Sequence, residues 1–375
     1  MNVKLVKQEQ MEDLIRGCAF MATGGGGSPL AGRTLLEDCF AEGKEIKLVL
    51  PEDVADDALI CTGSYVGSIA PITTEQSEML NKLGMKRRVR REIVEAVKEL
   101  EAYSNRRISA IAPCELGALN TTCALDAAAN LNILAVDGDF AGRALPETIQ
   151  FRFCIKGMDI WPRIMCDYAG NKTIIKEAVS PAMMERIQKH LAMSSSGLVG
   201  AAGHLMTGRE MKRVIIPGTI SRCIVIGETI RKARSQKEGF LNVVAEALGG
   251  WVLFSGKVIR KTWQDKEGYM VGDLELEGEA GFQSRSFNVW FKNEYHISWL
   301  DQKPFVTSPD IISVINLESG EVPTNTDIKT GDRLGIIGLK AAEGYRSEDA
   351  LKVLSPGYFG FEMNYSPIEC FFSSK

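Results

Sequence analysis

Between residues 45 and 139, short apolar runs of strand length alternate with stretches of helical periodicity, and this alternation restricts the fold more than any other feature. The strand-like runs are EIKLVL (45–50), DALICTG (57–63), RISAIAP (107–113) and NILAVDGD (132–139), and the helical ones are RREIVEAVKELEAY (90–103) and NTTCALDAAANL (120–131). Strands rich in Ile, Val, Leu and Ala and separated by helices predict a mostly parallel sheet covered on both faces. From Trp251 onward the texture changes. WVLFSGKVIRKTW, YMVGDLELEG, SRSFNVWF, EYHISWL, KPFVTS, IISVINL and DRLGIIGL are successive short strands separated by turn signals, the pattern of a barrel or sandwich. The chain therefore reads as α/β: an N-terminal three-layer α/β domain with a mostly parallel sheet, followed by a β-rich, barrel-like C-terminal domain with some helices. Its 375 residues are enough for two cores. WPRIMCDYAGNKTIIKEA predicts a hairpin turning at Ala169, Gly170 and Asn171, and a boundary beside it divides the chain into 1–168 and 169–375. The second part opens on two helices, SPAMMERIQKHLAM with its Ser-Pro cap and PGTISRCIVIGETIRKAR with Ile220, Ile224 and Ile230 on one face.

The bulk properties narrow the partners. A net charge of -4 provides no long-range positive field for nucleic acid or an anionic membrane. The basic run MKRRVRRE (85–92) leads into an acidic helix and has no interleaved aromatics, so it reads as a solvated helix start. Residues 1–10, MNVKLVKQEQ, lack the apolar core of a signal peptide, and nowhere do some 18 apolar residues run on as a membrane span requires; the expected location is the cytoplasm. Nine cysteines with no C-x-x-C pair suggest small buried residues in a reducing compartment. Oligomeric state is left open, a homo-oligomer included.

MATGGGGSPL (21–30) places four glycines between two helices, QEQMEDLIRGCAFMA and PLAGRTLLEDCFAEG, with Ser28 as N-cap and Pro29 at the first helical position. A dinucleotide fingerprint needs its glycines directly after a strand, and a P-loop needs a closing Gly-Lys-Ser/Thr. Neither holds, so the sequence carries no nucleotide motif. Two roles stay open for Gly24, Gly25, Gly26 and Gly27: a cradle for a small anionic or carbonyl-bearing ligand, or a hinge between helices.

Polar residues gather after predicted strands, where ligands of parallel sheets bind. APCELGALNTT (112–122) carries Glu115 and Asn120; VDGDFAGRALPE (136–147) carries Asp137, Asp139, Arg143 and Glu147; GSYVGSIAPITTEQ (63–76) carries Glu75. Carboxylates beside a guanidinium can divide into acid, base and orienting partner. Singly, each also fits a helix cap or turn. A divalent metal held by these carboxylates is a further option, although His190, His204 and His296 lack zinc spacing. His204 lies in the small-residue stretch SGLVGAAGHLMTG, which suits either a pocket wall or a core histidine. Cys114 has no obvious basic partner, which argues against a nucleophilic role.

ATGGGGSP, APCELGALN, VDGDFAGRALPE, IPGTISRCIVIGETIRKAR, LFSGKVIRKT, FKNEY, SPDIISVINLESGE, GDRLGIIGL and LSPGYFGFE run in order through nearly the whole chain. Together they resemble the S-methyl thiohydantoin desulfurase family, which is associated with hydantoinase and oxoprolinase systems. The chain departs from the family pattern at Ser28, where Asp is usual, at Ala118, where Gly is frequent, at Cys114, and after the Glu of FKNEY, where a second Asn is common. The resemblance implies a small five-membered ring as substrate, attack of water on the ring carbon that bears its S-methyl group, and release of methanethiol to leave a hydantoin. It further implies Glu115 or Asp137 as base, Asp139 or Glu147 as proton donor, Asn120 orienting the ring, and Arg143 with Thr23 and the Gly24–Gly27 amides receiving an anion. Asp310 of SPDII, and Asn293 and Glu294 of FKNEY, could meet the site across the domain interface; turn and strand-end roles fit them too, and Asp310 alone is retained as a site residue. Two alternatives use the same residues: a hydantoin- or lactam-type cyclic amidohydrolase, and a non-catalytic accessory subunit of a hydantoinase- or oxoprolinase-type partner.

Overall fold

The computed structural model describes residues 3–68, 70, 72–234 and 239–372. Its first sheet contains β1 (Val3–Val6), β2 (Ile46–Val49), β3 (Leu59–Gly67), β4 (Ala110–Pro113), β5 (Leu134–Val136), β6 (Arg163–Cys166), β7 (Lys172–Ile175) and β8 (Leu198–Thr207), in the order β1-β2-β5-β4-β3-β8-β6-β7. The four central strands β2, β5, β4 and β3 run parallel, and antiparallel strands extend the sheet on either side. Crossovers that return a strand parallel to its neighbour need intervening helices. Here they are α4 (Glu92–Ser104), between β3 and β4, and α5 (Ala118–Leu131), between β4 and β5.

Period-two alternation divides the strand side chains between two cores. Ile46, Leu48, Cys61, Ile111 and Ala135 pack with α4, α5, α1 (Met11–Met21) and α7 (Thr219–Ala233). Val49, Ile60, Ala110, Ala112 and Val136 face the other way, toward Phe140, Phe153 and Met184 of α6 (Pro181–Met193). Helices on both faces make the three layers. Helix α7 crosses α1 so closely that a side chain at Gly17 would meet the Cys223 carbonyl at 1.8 Å, and one at Gly227 the Asp13 carbonyl at 1.8 Å.

The hairpin of β6 and β7 turns at Ala169–Asn171, where Asp167 Oδ1 accepts from the backbone N–H groups of Ala169 and Asn171, each at 2.9 Å. The first sheet thus takes strands from both sides of position 168. The second sheet begins at Trp251 and is antiparallel throughout: β9 (Trp251–Lys266), β10 (Tyr269–Gly278), β11 (Ser286–Lys292), β12 (Glu294–Leu300), β13 (Lys303–Thr307), β14 (Ile311–Asn316) and β15 (Arg333–Leu339), in the order β13-β12-β11-β10-β9-β15-β14. Register shifts at Val258/Arg260 and Trp290/Phe291 are of the kind that bend strands. The sheet curls into a half-barrel around Leu253, Phe254, Phe287, Val289 and Ile336. No helix among the described residues is long and apolar enough to cross a membrane.

Candidate active site

A pocket opens at the carboxyl ends of β3 and β4 and is closed from the second sheet by the turn between β11 and β12. Its walls include Ser64–Gly67, Cys114, Glu115, Leu145–Thr148, Arg163 and His204 from the first sheet and its loops, Glu185 and Lys189 from α6, and Asn293 and Glu294 from the turn. This is where a parallel sheet offers diverging loops.

Glu115 follows β4 directly and is buried. One carboxylate oxygen accepts from Asn120 Nδ2 at 2.6 Å and the other from the Leu145 N–H at 2.8 Å. Asn120, on the first turn of α5, is itself fixed by accepting the Tyr65 N–H at 2.9 Å. Burial pushes Glu115 up to about 7, helped by Asp139, while the two donors and Lys189 pull it down. Desolvation wins because neutral donors compensate a buried charge only in part.

The glycine run explains how α5 is held. Gly26 O accepts from the N–H groups of Leu119 (3.1 Å) and Asn120 (3.2 Å), satisfying donors that a helix start leaves open. Gly26 approaches Gly117 so closely that a Cβ would lie 2.5 Å from the Gly117 Cα, and its φ is +69°. Both facts require glycine. On the other side, Thr23 O accepts from Tyr295 N at 2.8 Å and Gly24 O from Asn325 N at 2.7 Å, so the same loop docks the second domain. Gly26 and Gly27 reach the pocket wall, whereas Thr23, Gly24 and Gly25 do not.

Of the remaining charged groups of the pocket, Arg163, Lys189 and Glu185 come from elements where the sequence marked no site, whereas Glu294 belongs to FKNEY, a stretch that could meet the site across the domain interface. Arg163 on β6 donates to Gln188, Thr62, Ser64 and His204; Gly203 makes room for it, since a Cβ there would lie 2.9 Å from the Arg163 Cδ. Lys189 donates to Gly67 O at 2.6 Å and sits 4.1 Å from the Tyr269 ring centroid. Glu185 accepts from Tyr269 OH at 3.1 Å and from both the N–H and the hydroxyl of Thr148. Glu294 is 3% exposed, and its Oε2 has no hydrogen-bond partner among the described residues. Burial holds it well above the carboxylate range, and Glu115 adds to the effect. The amphipathic pattern of α6 gave no hint of Lys189 or Glu185, while Asn293 and Glu294 of FKNEY do line the pocket, and Asp310, the residue preferred to them, does not.

The other expected residues lie elsewhere or are engaged. Glu147 lines the rim, where Lys292 and Tyr358 donate to its two oxygens. Asp137 caps α7, accepting from Ile220 N (3.1 Å), Ser221 N (3.0 Å) and the Ser221 hydroxyl. Asp139 is turned into its own loop, accepting from Ala141 N and Gly142 N, and burial pushes it up to about 7. Arg143, 2% exposed, spends all five N–H groups on the carbonyls of Ala144, Tyr295, Pro309 and Asp310 and on Thr23 Oγ1. The expected receiver of an anion is thereby a tether between the domains, because it has no donor left. Asp310 accepts from Arg346, Tyr365 and two backbone N–H groups, away from the pocket. Glu75 is exposed on the first turn of α3 (Thr74–Lys82); Ile69 and Pro71 of its loop lie outside the described residues. Cys114 Sγ lies 3.8 Å from His204 Nδ1, a neighbour the sequence did not reveal. Among the described residues no three His, Cys, Asp or Glu side chains group so as to hold a metal ion.

The fold and pocket define a two-domain α/β protein with a candidate site at its domain junction. Models of the S-Me-THD-like N-terminal domain and the S-Me-THD-like C-terminal domain match residues 9–177 and 179–368, so the chain belongs to the S-Me-THD-like family. No curated protein matches it. A crystal structure of a protein from Chromobacterium violaceum shares the fold, with 22% identity, a TM-score of 0.78, and coverage of 97% of this chain and 100% of that one.

Proposed function

We propose that this protein is a hydrolase that removes the S-methyl group from an S-methyl thiohydantoin as methanethiol, leaving the hydantoin. The observation that carries the reading is Glu115: a buried carboxyl at a strand end, on a pocket wall, with a proton affinity pushed up to about 7 by burial. A general base works best when its proton affinity lies near the working pH. Glu294, facing the same pocket from the other domain and likewise held well above the carboxylate range by burial, supplies the acid.

The proton balance closes over two steps. Glu115 takes a proton from water as the oxygen attacks the ring carbon that bears the S-methyl group, and Glu294 gives its proton to the ring nitrogen, so that the C=N bond becomes C–NH in the tetrahedral intermediate. On collapse, Glu294 takes back the hydroxyl proton as C=O forms, the C–S bond breaks, and Glu115 protonates the departing thiolate. Both carboxyls return to their starting states. Asn120 orients Glu115 through the 2.6 Å bond, and the Tyr65 N–H fixes Asn120 in turn.

The test is thiol release from a panel of 5-substituted S-methyl thiohydantoins. A positioned base contributes about 100- to 10,000-fold, so Glu115→Gln should lower turnover at least about 100-fold while leaving the fold intact by circular dichroism. Unchanged turnover would remove Glu115 from the chemistry. Ring opening of a plain hydantoin without thiol release would point instead to cyclic-amide hydrolysis by the same pocket.

A further inference from the structure

His204 lies in β8 with a φ of +49°, a left-handed conformation uncommon outside glycine and a frequent mark of functional sites. Three groups converge on its Nδ1: Thr62 Oγ1 at 2.7 Å, Arg163 Nη1 at 3.2 Å and Cys114 Sγ at 3.8 Å. A guanidinium can only donate, so Nδ1 must offer its lone pair and the ring proton sits on Nε2. Phe153 packs on the imidazole with ring centroids 4.3 Å apart, which fixes the orientation of the ring. His204 lines the pocket, and its Nε2 is buried with no partner among the described residues. Buried polar groups of this kind are nearly always paired.

We infer that His204 is locked as the neutral Nε2–H tautomer and that this N–H is the donor reserved for an uncharged acceptor atom of the ligand, a ring oxygen or nitrogen. The tautomer stands on geometry alone; the donor's part in turnover rests on the reaction proposed above. Burial, and then the Arg163 charge, hold the imidazole well below its ordinary proton affinity, so the ring stays neutral where an exposed histidine would be charged. Other charges lining the pocket are Glu115, Glu147, Glu185, Lys189 and Glu294. A neutral donor suits a ring carbon that must become electrophilic: it stabilises charge developing on the adjacent heteroatom without surrendering a proton.

The experiment is nitrogen-15 NMR of the full chain labelled at histidine, with His190→Gln and His296→Gln used to identify the His204 signals by elimination. The expected result is a protonated-type Nε2 and an unprotonated-type Nδ1 that do not titrate across the range where ordinary histidines do. Adding hydantoin or S-methyl thiohydantoin should shift Nε2 and leave Nδ1 in place. A proton on Nδ1, or titration in the ordinary range, overturns the tautomer; an Nε2 signal that neither compound moves overturns the donor role. Loss of one such donor costs about 100-fold or more in kcat, so His204→Ala should lose that much thiol release and His204→Gln, which restores an N–H, should recover part of it. Absence of thiol from the wild-type protein, with Nε2 still shifted by hydantoin, would count against the proposed reaction and leave this inference standing.

Discussion

Two buried carboxyl sites in this molecule have opposite economies. Asp310, fully buried, collects five donors: the N–H groups of Ala341 and Ile368, the Tyr365 hydroxyl, and Nε and Nη2 of Arg346. Glu115 has two neutral donors, and Glu294 leaves Oε2 with none among the described residues. Burying a carboxylate is unfavourable unless its charge is paired and hydrogen-bonded. At Asp310 the compensation is complete, and the residue knits the C-terminal segment to the half-barrel. At the domain junction it is withheld, and the shortfall appears as raised proton affinity and open hydrogen-bonding capacity. The same residue type is structural in one place and poised for chemistry in the other because of its surroundings.

The comparison can be broken at its structural end first. Asp310→Ala leaves the N–H groups of Ala341 and Ile368 and the Tyr365 hydroxyl without their acceptor, at about 1–3 kcal/mol for each buried group, while Arg346 keeps Glu369, so the loss in denaturant unfolding should be about 3 kcal/mol or more. A loss below about 1 kcal/mol would show that the five donors do not act as described.

It can be sharpened next at Gly25, where a Cβ would lie 1.9 Å from Glu294 Oε1. Gly25→Ala must displace that carboxylate, and misplacement of a reacting group by about 1 Å can cost about 100-fold. The expectation is a fall in kcat of that order with the melting temperature little changed. Unaltered kcat would separate Glu294 from the chemistry.

The smallest effect concerns stability and pH. Because Glu115 binds its proton more tightly when folded, its contribution is fully present below the ordinary glutamate value of 4.5 and is lost as pH rises through about 7. Glu115→Gln escapes that loss. It should match the wild type at about pH 4 and exceed it by about 1–3 kcal/mol at about pH 8. A variant that is less stable than wild type at alkaline pH would mean that the carboxylate is compensated after all.

Much of the fold was legible because it is written locally. Alternating strands and helices from residue 45, the Ser28 cap, the turn at Ala169–Asn171 and the change of texture at Trp251 all depend on near neighbours. That β6, β7 and β8 would join the first sheet was not legible, since strand pairing across β3 and β8 is a long-range choice. The candidate site divides in the same way. Glu115 and Asn120 stand five residues apart around the start of one helix, and their contact follows from that spacing. Lys189 and Arg163 arrive from distant elements and carry no local signal, and FKNEY marks Glu294 as a candidate without fixing where the second sheet will bring it. Asp137, Arg143 and Asp310 carried the expected chemical type, yet caps and carbonyls already occupy their hydrogen-bonding groups. Sequence identifies residues able to do chemistry, but only packing shows which have been left free to do it.

The most direct measurement is the pH dependence of kcat/KM for methanethiol release from an S-methyl thiohydantoin, in wild type and in Glu115→Gln. With Glu115 as the base, wild-type kcat/KM should rise through about pH 7 as its carboxyl loses the proton, and the residual activity of the variant should lack that limb. A rising limb that persists unchanged in Glu115→Gln would contradict the account, because some other group would then be taking the proton from water.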